Sequence, residues 1–190
     1  MNVFLDFEAS SLFDQSFPVE VAWVFQDGRS ESHLIRPAPE WTDWDDASQA
    51  IHGISRETLA SEGESHDIVA ARMVEALSEH DLFASAPSSD GKWLSVLLRG
   101  AGLPRHALRL RDTDEALRAT ATEILRAVLP KARLDEEVRA LVSAANAGKE
   151  THPAHRALAD AQGEYDTWCR LRQAARELAA RQLAAHSGGA

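Results

Sequence analysis

The chain has 190 residues, 44% hydrophobic and 26% charged, with a net charge of −10. That is enough for one domain with a substantial core, and the net charge by itself argues against a general nucleic-acid binder. No apolar run is long enough to span a bilayer, no signal-peptide pattern is present, and the single cysteine, Cys169, excludes a disulfide framework or a cysteine metal cluster, a pattern expected of a cytoplasmic protein.

In chain order, residues 2–6 read as a short apolar strand. A turn-prone loop with Ser10, Ser11, Asp14 and Ser16 follows. Residues 17–25 form a second strand, Gln26-Asp27-Gly28 is a hairpin signal, and residues 30–36 are the return strand, ending before Pro37. Short helices are predicted near 45–50 and, with Ser55 as N-cap, over 56–60. The spacing of Ile68, Val69, Met73, Val74 and Leu77 predicts a helix over 66–79. A fourth strand covers 81–86, and a helix runs over 90–100 to Gly100 and Gly102. A fifth strand covers 106–112; Asp112 and Glu115 then open a helix to about 129. A helix near 135–145, a polar loop at 146–153 and a long helical stretch from Ala154 to about Ala185, broken at Gly163, complete the chain. The pattern predicts one α/β domain over residues 1–185, with a mixed five-stranded sheet (an antiparallel meander, then parallel strands) flanked by helices, and a frayed tail at 186–190.

The first strand runs into two acids, in Phe4-Leu5-Asp6-Phe7-Glu8-Ala9-Ser10. Residues two apart on a strand share a face, so Asp6 and Glu8 point one way and Leu5 and Phe7 the other, into the core. Burying one uncompensated carboxylate costs several kcal/mol, roughly, and a like charge beside it costs more. Such a pair persists by reaching solvent, by pairing with protein cations, or by binding metal. Solvation is the commonest outcome for an isolated D-x-E. Two other stretches argue for metal: Asp90 opens a helix directly after a strand, and His155 precedes Asp160 by five positions in a loop-to-helix setting. Carboxylate oxygens are hard ligands suited to Mg²⁺ or Mn²⁺. Four of them can hold two divalent ions about 3.5–4 Å apart, astride the attacking and leaving oxygens of a phosphodiester. A neutral histidine beside them can take a proton from attacking water.

These motifs resemble those of the DEDDh-type 3′–5′ exonucleases of the DnaQ-like superfamily, which have an RNase H-like fold. The first motif is Asp6-Phe7-Glu8, the second the strand end Ala84 leading to Asp90, and the third His155-Arg156-Ala157-Leu158-Ala159-Asp160; Ile51-His52-Gly53-Ile54 resembles the family's HGI segment. The motifs span residues 4–160 in the family's order. Ala86 and Ser89 stand where the family often has Asn and Phe before the second-motif Asp, and Ala9-Ser10-Ser11 replaces a small-Thr-Gly run. The resemblance implies that Asp6 bridges two Mg²⁺ (or Mn²⁺) ions, Glu8 and Asp160 bind the ion carrying the attacking water, Asp90 helps hold the second, and His155 is the general base. It implies hydrolysis at the 3′ end of single-stranded RNA or DNA, with release of nucleoside 5′-monophosphates, and it allows a homodimer. Two alternatives share the residues: a nucleic-acid-binding module without catalysis, and a phosphodiesterase acting on small nucleotides.

Further candidates surround this set. His152 lies three residues before His155, with Pro153 after it, and reads as a loop histidine; His52 suits a turn as well as a substrate contact. Trp41 and Trp44 can stack on bases or pack over the neighbouring helix. By the family pattern Phe7 and Leu12 are candidates to wedge against the terminal base, Phe7 being better suited to the core. Charge is polarised, with 18 acids and 5 basic side chains in residues 1–98 against 12 and 15 in residues 99–190. Arginine outnumbers lysine 17 to 3, which suits phosphate and also follows from high-GC codon usage. Arg99, Arg105, Arg109 and Arg111, with His106, form the densest basic stretch, either a backbone track or a solvated face. Trp168, Leu171, Ala175 and Leu178 make an apolar stripe suited to covering the sheet.

Overall fold

A computed structural model describes residues 1–148 and 155–187, with side chains described to residue 185. His152 lies outside the described residues. The chain opens with the expected meander: β1 (Asn2–Ala9), β2 (Pro18–Phe25) and β3 (Ser30–Arg36), each antiparallel to the one before. The β2–β3 turn passes through Gly28 at φ 90°, a left-handed conformation that glycine adopts without steric cost. Next come α1 (Asp46–His52), α2 (Arg56–Glu62), β4 (Glu64–Ser65) and α3 (His66–Leu77). Then β5 (Asp81–Ala84), α4 (Pro87–Gly100), β6 (Leu110–Asp112), α5 (Thr113–Leu125), α6 (Lys131–Ala147) and α7 (Ala157–Ser187) follow. The sheet order is β4-β3-β2-β1-β5-β6, with β5 parallel to β1, β6 parallel to β5 and β4 parallel to β3.

Alternation along β1 divides the core in two. Val3, Leu5, Phe7 and Ala9 join Val21, Trp23 and Phe25 of β2 against α3 and α4. Phe4 faces the other way and meets Phe83, Trp168 and the apolar sides of α5, α6 and α7. The predicted stripe of α7 belongs to this second layer: Trp168, Leu171 and Ala175 are buried, and the Trp168 indole donates to Thr120 Oγ1 at 2.8 Å. Each such large apolar side chain contributes about 1.5–3 kcal/mol by leaving water. Leu178, further along the stripe, is partly buried against the same cluster. Among the described residues no helix is long and apolar enough to cross a membrane.

The sheet has six strands rather than the expected five. The extra one, β4, is two polar residues long, paired through Ile35↔Glu64 and Arg36↔Ser65. A Cβ on Gly63 would sit 2.5 Å from Leu59 O and 2.7 Å from Arg36 N, so the absence of a side chain lets this segment reach the sheet edge. The expected strand over 106–112 shrinks to β6, because β5 offers only four residues to pair with and Ala107 N turns back to Pro104 O at 2.9 Å. Gly163 does not break α7. A Cβ there would meet nothing within 4 Å, and Thr167 Oγ1 donates to Gly163 O at 2.8 Å inside a continuous helix. β1 extends to Ala9, so both of its acids lie within the strand.

Candidate active site

Asp6 and Glu8 continue the Phe4 side of β1 past the end of the aromatic layer. There α7 begins over the sheet with Ala157 and Ala161, both fully buried; their small side chains let the helix approach closely. Asp160 stands in the first turn of α7 and Asp90 in the first turn of α4. Both helices thus bring the positive ends of their dipoles towards the acids of β1. Pro87 at the start of α4 supplies a preset φ and lacks the N–H that would go unpaired.

All five predicted residues are brought together. Burial first, then the charges of Asp90, Glu8, Asp160 and Glu164, push the Asp6 carboxyl up to about 9. Burial, then Asp160 and Glu20, raise Glu8 to about 7, with Arg156 pulling the other way. Burial raises Asp90 to about 7 against backbone hydrogen bonds at Ala86 and Phe7. Asp90 is 2% exposed and its Oδ2 is buried without a hydrogen-bond partner among the described residues. His155 completes the group: one ligand atom from each of Glu8, His155 and Asp160 lies within 4.8 Å of the other two. A buried carboxylate oxygen without a partner among the described residues, and clustered hard oxygen donors of which three are raised chiefly by burial, fit a divalent cation of the Mg²⁺ or Mn²⁺ type.

Two acids of this region carry no signal of their own in the motifs. Glu164 lies one turn beyond Asp160 on α7, and its charge bears on both Asp6 and Asp90. The i,i+4 spacing from Asp160 is the one sequence feature that points to it. Glu20 is the only charged residue in the wholly buried strand β2 and lies directly opposite Glu8.

The loop after β1 is held from two sides. Ser10 Oγ and Ser11 Oγ donate to Asp43 Oδ2 at 2.9 and 2.6 Å, and Lys92 reaches Phe13 O and Ser16 Oγ. Its tip leaves Leu12 83% and Phe13 66% exposed, whereas Phe7 is core. Trp41 and Trp44 pack on Phe17, with ring centroids 5.6 and 6.4 Å away, and Arg56 lies over Trp44. His52 is buried and serves its turn, its Nδ1 accepting from Ile54 N at 3.0 Å. The basic stretch lies at the other end of the sheet. Arg111 pairs with Asp81 and Glu115, and Asp81 is opposite Asn2 on β1. That is four residues, about 13 Å along a strand, from Asp6.

No protein-family model matches the chain, and no curated protein sequence does. Solved structures do. The zinc-bound E. coli exonuclease I–ssDNA complex superposes with a TM-score of 0.64 at 18% identity, over 97% of this chain and 43% of that one. Apo exonuclease I gives 0.63 at 16% identity, over 97% and 44%. The moderately thermophilic exonuclease I of Methylocaldum szegediense gives 0.63 at 17% identity, over 91% and 40%. This chain therefore spans less than half the length of the structures it matches. At these identities the likeness shows the architecture, and that architecture is the α/β, RNase H-like fold.

Proposed function

We propose that this chain is a metal-dependent 3′–5′ exonuclease that removes nucleoside 5′-monophosphates from the 3′ end of single-stranded nucleic acid. The observation that carries the reading is the convergence on Asp6 of Glu8, Asp90 and Asp160, from three separate elements, beside His155. The backbone likeness to exonuclease I, one of whose structures is a complex with ssDNA, adds a single-stranded substrate and a nuclease chemistry. Five intact side chains also speak for catalysis over bare binding, which needs no such set.

Asp6, Glu8, Asp90 and Asp160 would hold two divalent cations, which supply positive charge at the reacting phosphate and a more acidic attacking water. His155 takes the proton of that water as its oxygen bonds to phosphorus and the bond to the upstream 3′ oxygen breaks. Asp6, the more buried of the two β1 acids, carries the site's geometry on a rigid strand. The two helix N-termini add positive potential beside the clustered acids.

The test is purified protein with Mg²⁺ or Mn²⁺ on 5′-labelled single-stranded DNA and RNA. A ladder shortening from the 3′ end, abolished by EDTA and by Asp6→Ala, is the expected result, and the two substrates rank the sugars. A folded, metal-binding protein that leaves both strands intact would refute the proposal.

A further inference from the structure

A bidentate ion pair joins the start of α7 to β2, with its glutamate buried and its arginine half exposed. Arg156 donates from Nε to Glu20 Oε2 at 3.1 Å and from Nη2 to Oε1 at 2.7 Å, and the Ala157 amide donates to Oε2 at 2.9 Å. Glu20 is 2% exposed. A carboxylate so buried needs its charge met, and three donors from two consecutive residues meet it. The fork is bidentate, a geometry that arginine provides and lysine does not. The Ala157 amide is one of the N–H groups that a helix start leaves without an intrahelical partner. Glu20 therefore caps α7 from across the sheet.

His155 immediately precedes this anchor. It is the only non-glycine residue with positive φ among the described residues, at 52°. An L residue with a Cβ is strained there and stays only when its surroundings over-determine it. The anchored pair Arg156–Ala157 is the constraint on its C-terminal side. His52, buried to 5% exposure, lies near the same group, its imidazole feeling the charges of Glu20, Arg156 and His155. Glu8 faces it from β1, opposite Glu20.

We infer that Glu20 and Arg156 form a positioning clamp that fixes the left-handed backbone of His155 and so aims its imidazole at the space beside Glu8 and Asp160. The inference rests on the proposed role of His155 as base. Glu20 and Arg156 touch no substrate; they act through His155. The clamp also occupies the guanidinium whose charge bears on Glu8, so Arg156 spends its fork on Glu20.

Two readouts test this on the full chain. The first needs no activity: the His155 imidazole resonances in ¹⁵N-histidine-labelled protein, compared between wild type and Arg156→Ala. Because Arg156→Ala leaves a buried carboxylate unmatched, the charge-balanced double variant Glu20→Gln/Arg156→Ala is measured beside it. Shifted or broadened His155 signals, with other histidines except His52 unmoved, are expected. The second is kinetic. Displacing a catalytic group by about 1 Å costs on the order of 10²-fold, so kcat is expected to fall to that extent with KM within about threefold. Arg156→Lys, which keeps the charge and loses the fork, is expected to recover only part. In a His155→Ala background, Arg156→Ala is expected to cost nothing more. Unmoved His155 resonances, or effects of the two substitutions that multiply, would overturn the clamp. Inactivity of the wild type with moved resonances would overturn the exonuclease reading and leave the clamp standing.

Discussion

Glu8 and Glu20 stand directly opposite one another on β1 and β2, and their surroundings differ. Glu20 is met by the Arg156 fork and by the Ala157 amide. Glu8 has no such arrangement among the described residues, and burial, then Asp160 and Glu20 beside it, raise its carboxyl to about 7. One acid of the pair is structural and satisfied from within the chain. The other meets no comparable set of donors among the described residues. The same division separates Arg156, engaged at the site, from Arg111, engaged at the far end of the sheet.

The raised carboxyls set the response of the metal-free protein to pH. Asp6, Glu8 and Asp90 lie at about 9, 7 and 7 when folded, against 3.8, 4.5 and 3.8 when exposed. The folded state thus binds more protons than the unfolded state across this range, and stability falls as pH rises. The fall is steepest from about pH 4 to 7, where three groups contribute, and continues to about pH 9 through Asp6 alone. One pKa unit is about 1.4 kcal/mol, and 1 kcal/mol moves Tm by about 2–4 °C at this size, so a total drop above about 5 °C is expected. On the proposed reading Mg²⁺ binds the ionised carboxylates and opposes the fall, so its stabilisation is expected to grow with pH. Thermal unfolding in EDTA and in Mg²⁺, at several pH values, measures both; a metal-free Tm that rises from pH 5 to 9 contradicts the arrangement.

Asp6→Asn isolates the centre of this cluster. Asparagine keeps the shape and removes the group most raised by its neighbours. Metal-free Asp6→Asn is expected to be more stable than wild type at pH 8 and to lose the part of the pH slope above pH 7. Cleavage is expected to fall by at least about 10²–10³-fold, the scale for removing one preorganised electrostatic group. A variant both less stable and equally active would show that Asp6 serves the fold and not the chemistry.

What the sequence makes legible follows physical scale. Asp6 and Glu8 are legible because a strand has period two, and acids in that register share a face. Asp90 and Asp160 are legible because each opens a helix after a break. β4 is not, since two polar residues carry no periodicity; its pairing depends on the room left by Gly63 beside Arg36. Leu108 and Leu110 alternate as a strand should, yet the length of β5 decides how much of that stretch can pair. Glu20 is hidden by its company: an acid amid valines reads as strand filler until Arg156, 136 residues away, is seen to reach it.

Gly163 offers a simple gain. It lies inside α7, with a helical backbone and nothing within 4 Å of where a Cβ would sit. Alanine loses less backbone freedom on folding, so Gly163→Ala is expected to stabilise the chain by about 0.5–1 kcal/mol. The bond from Thr167 Oγ1 goes to the backbone carbonyl and survives the change. Urea denaturation reads the difference as a higher midpoint at unchanged slope. A lower midpoint would mean that the glycine serves some contact of α7 other than its own helix.

The exposed tip of the loop after β1 is open to the same kind of test. Leu12 and Phe13 lie largely in water, while the loop that carries them is tied to Asp43 and Lys92. Apolar side chains held out on a braced loop beside Asp6 and Glu8 suit the face of a terminal base. Base stacking contributes about 1–3 kcal/mol per base, so Leu12→Ala/Phe13→Ala is expected to raise KM for a single-stranded oligonucleotide about tenfold or more. Because neither side chain is packed, Tm is expected to hold, the ordinary behaviour of a surface substitution. The Mg²⁺ affinity is expected to hold as well, since the carboxylates proposed to hold the cation are untouched. Unchanged KM with unchanged Tm would remove the loop tip from the substrate path and move the search to the opposite wall, where α7 begins.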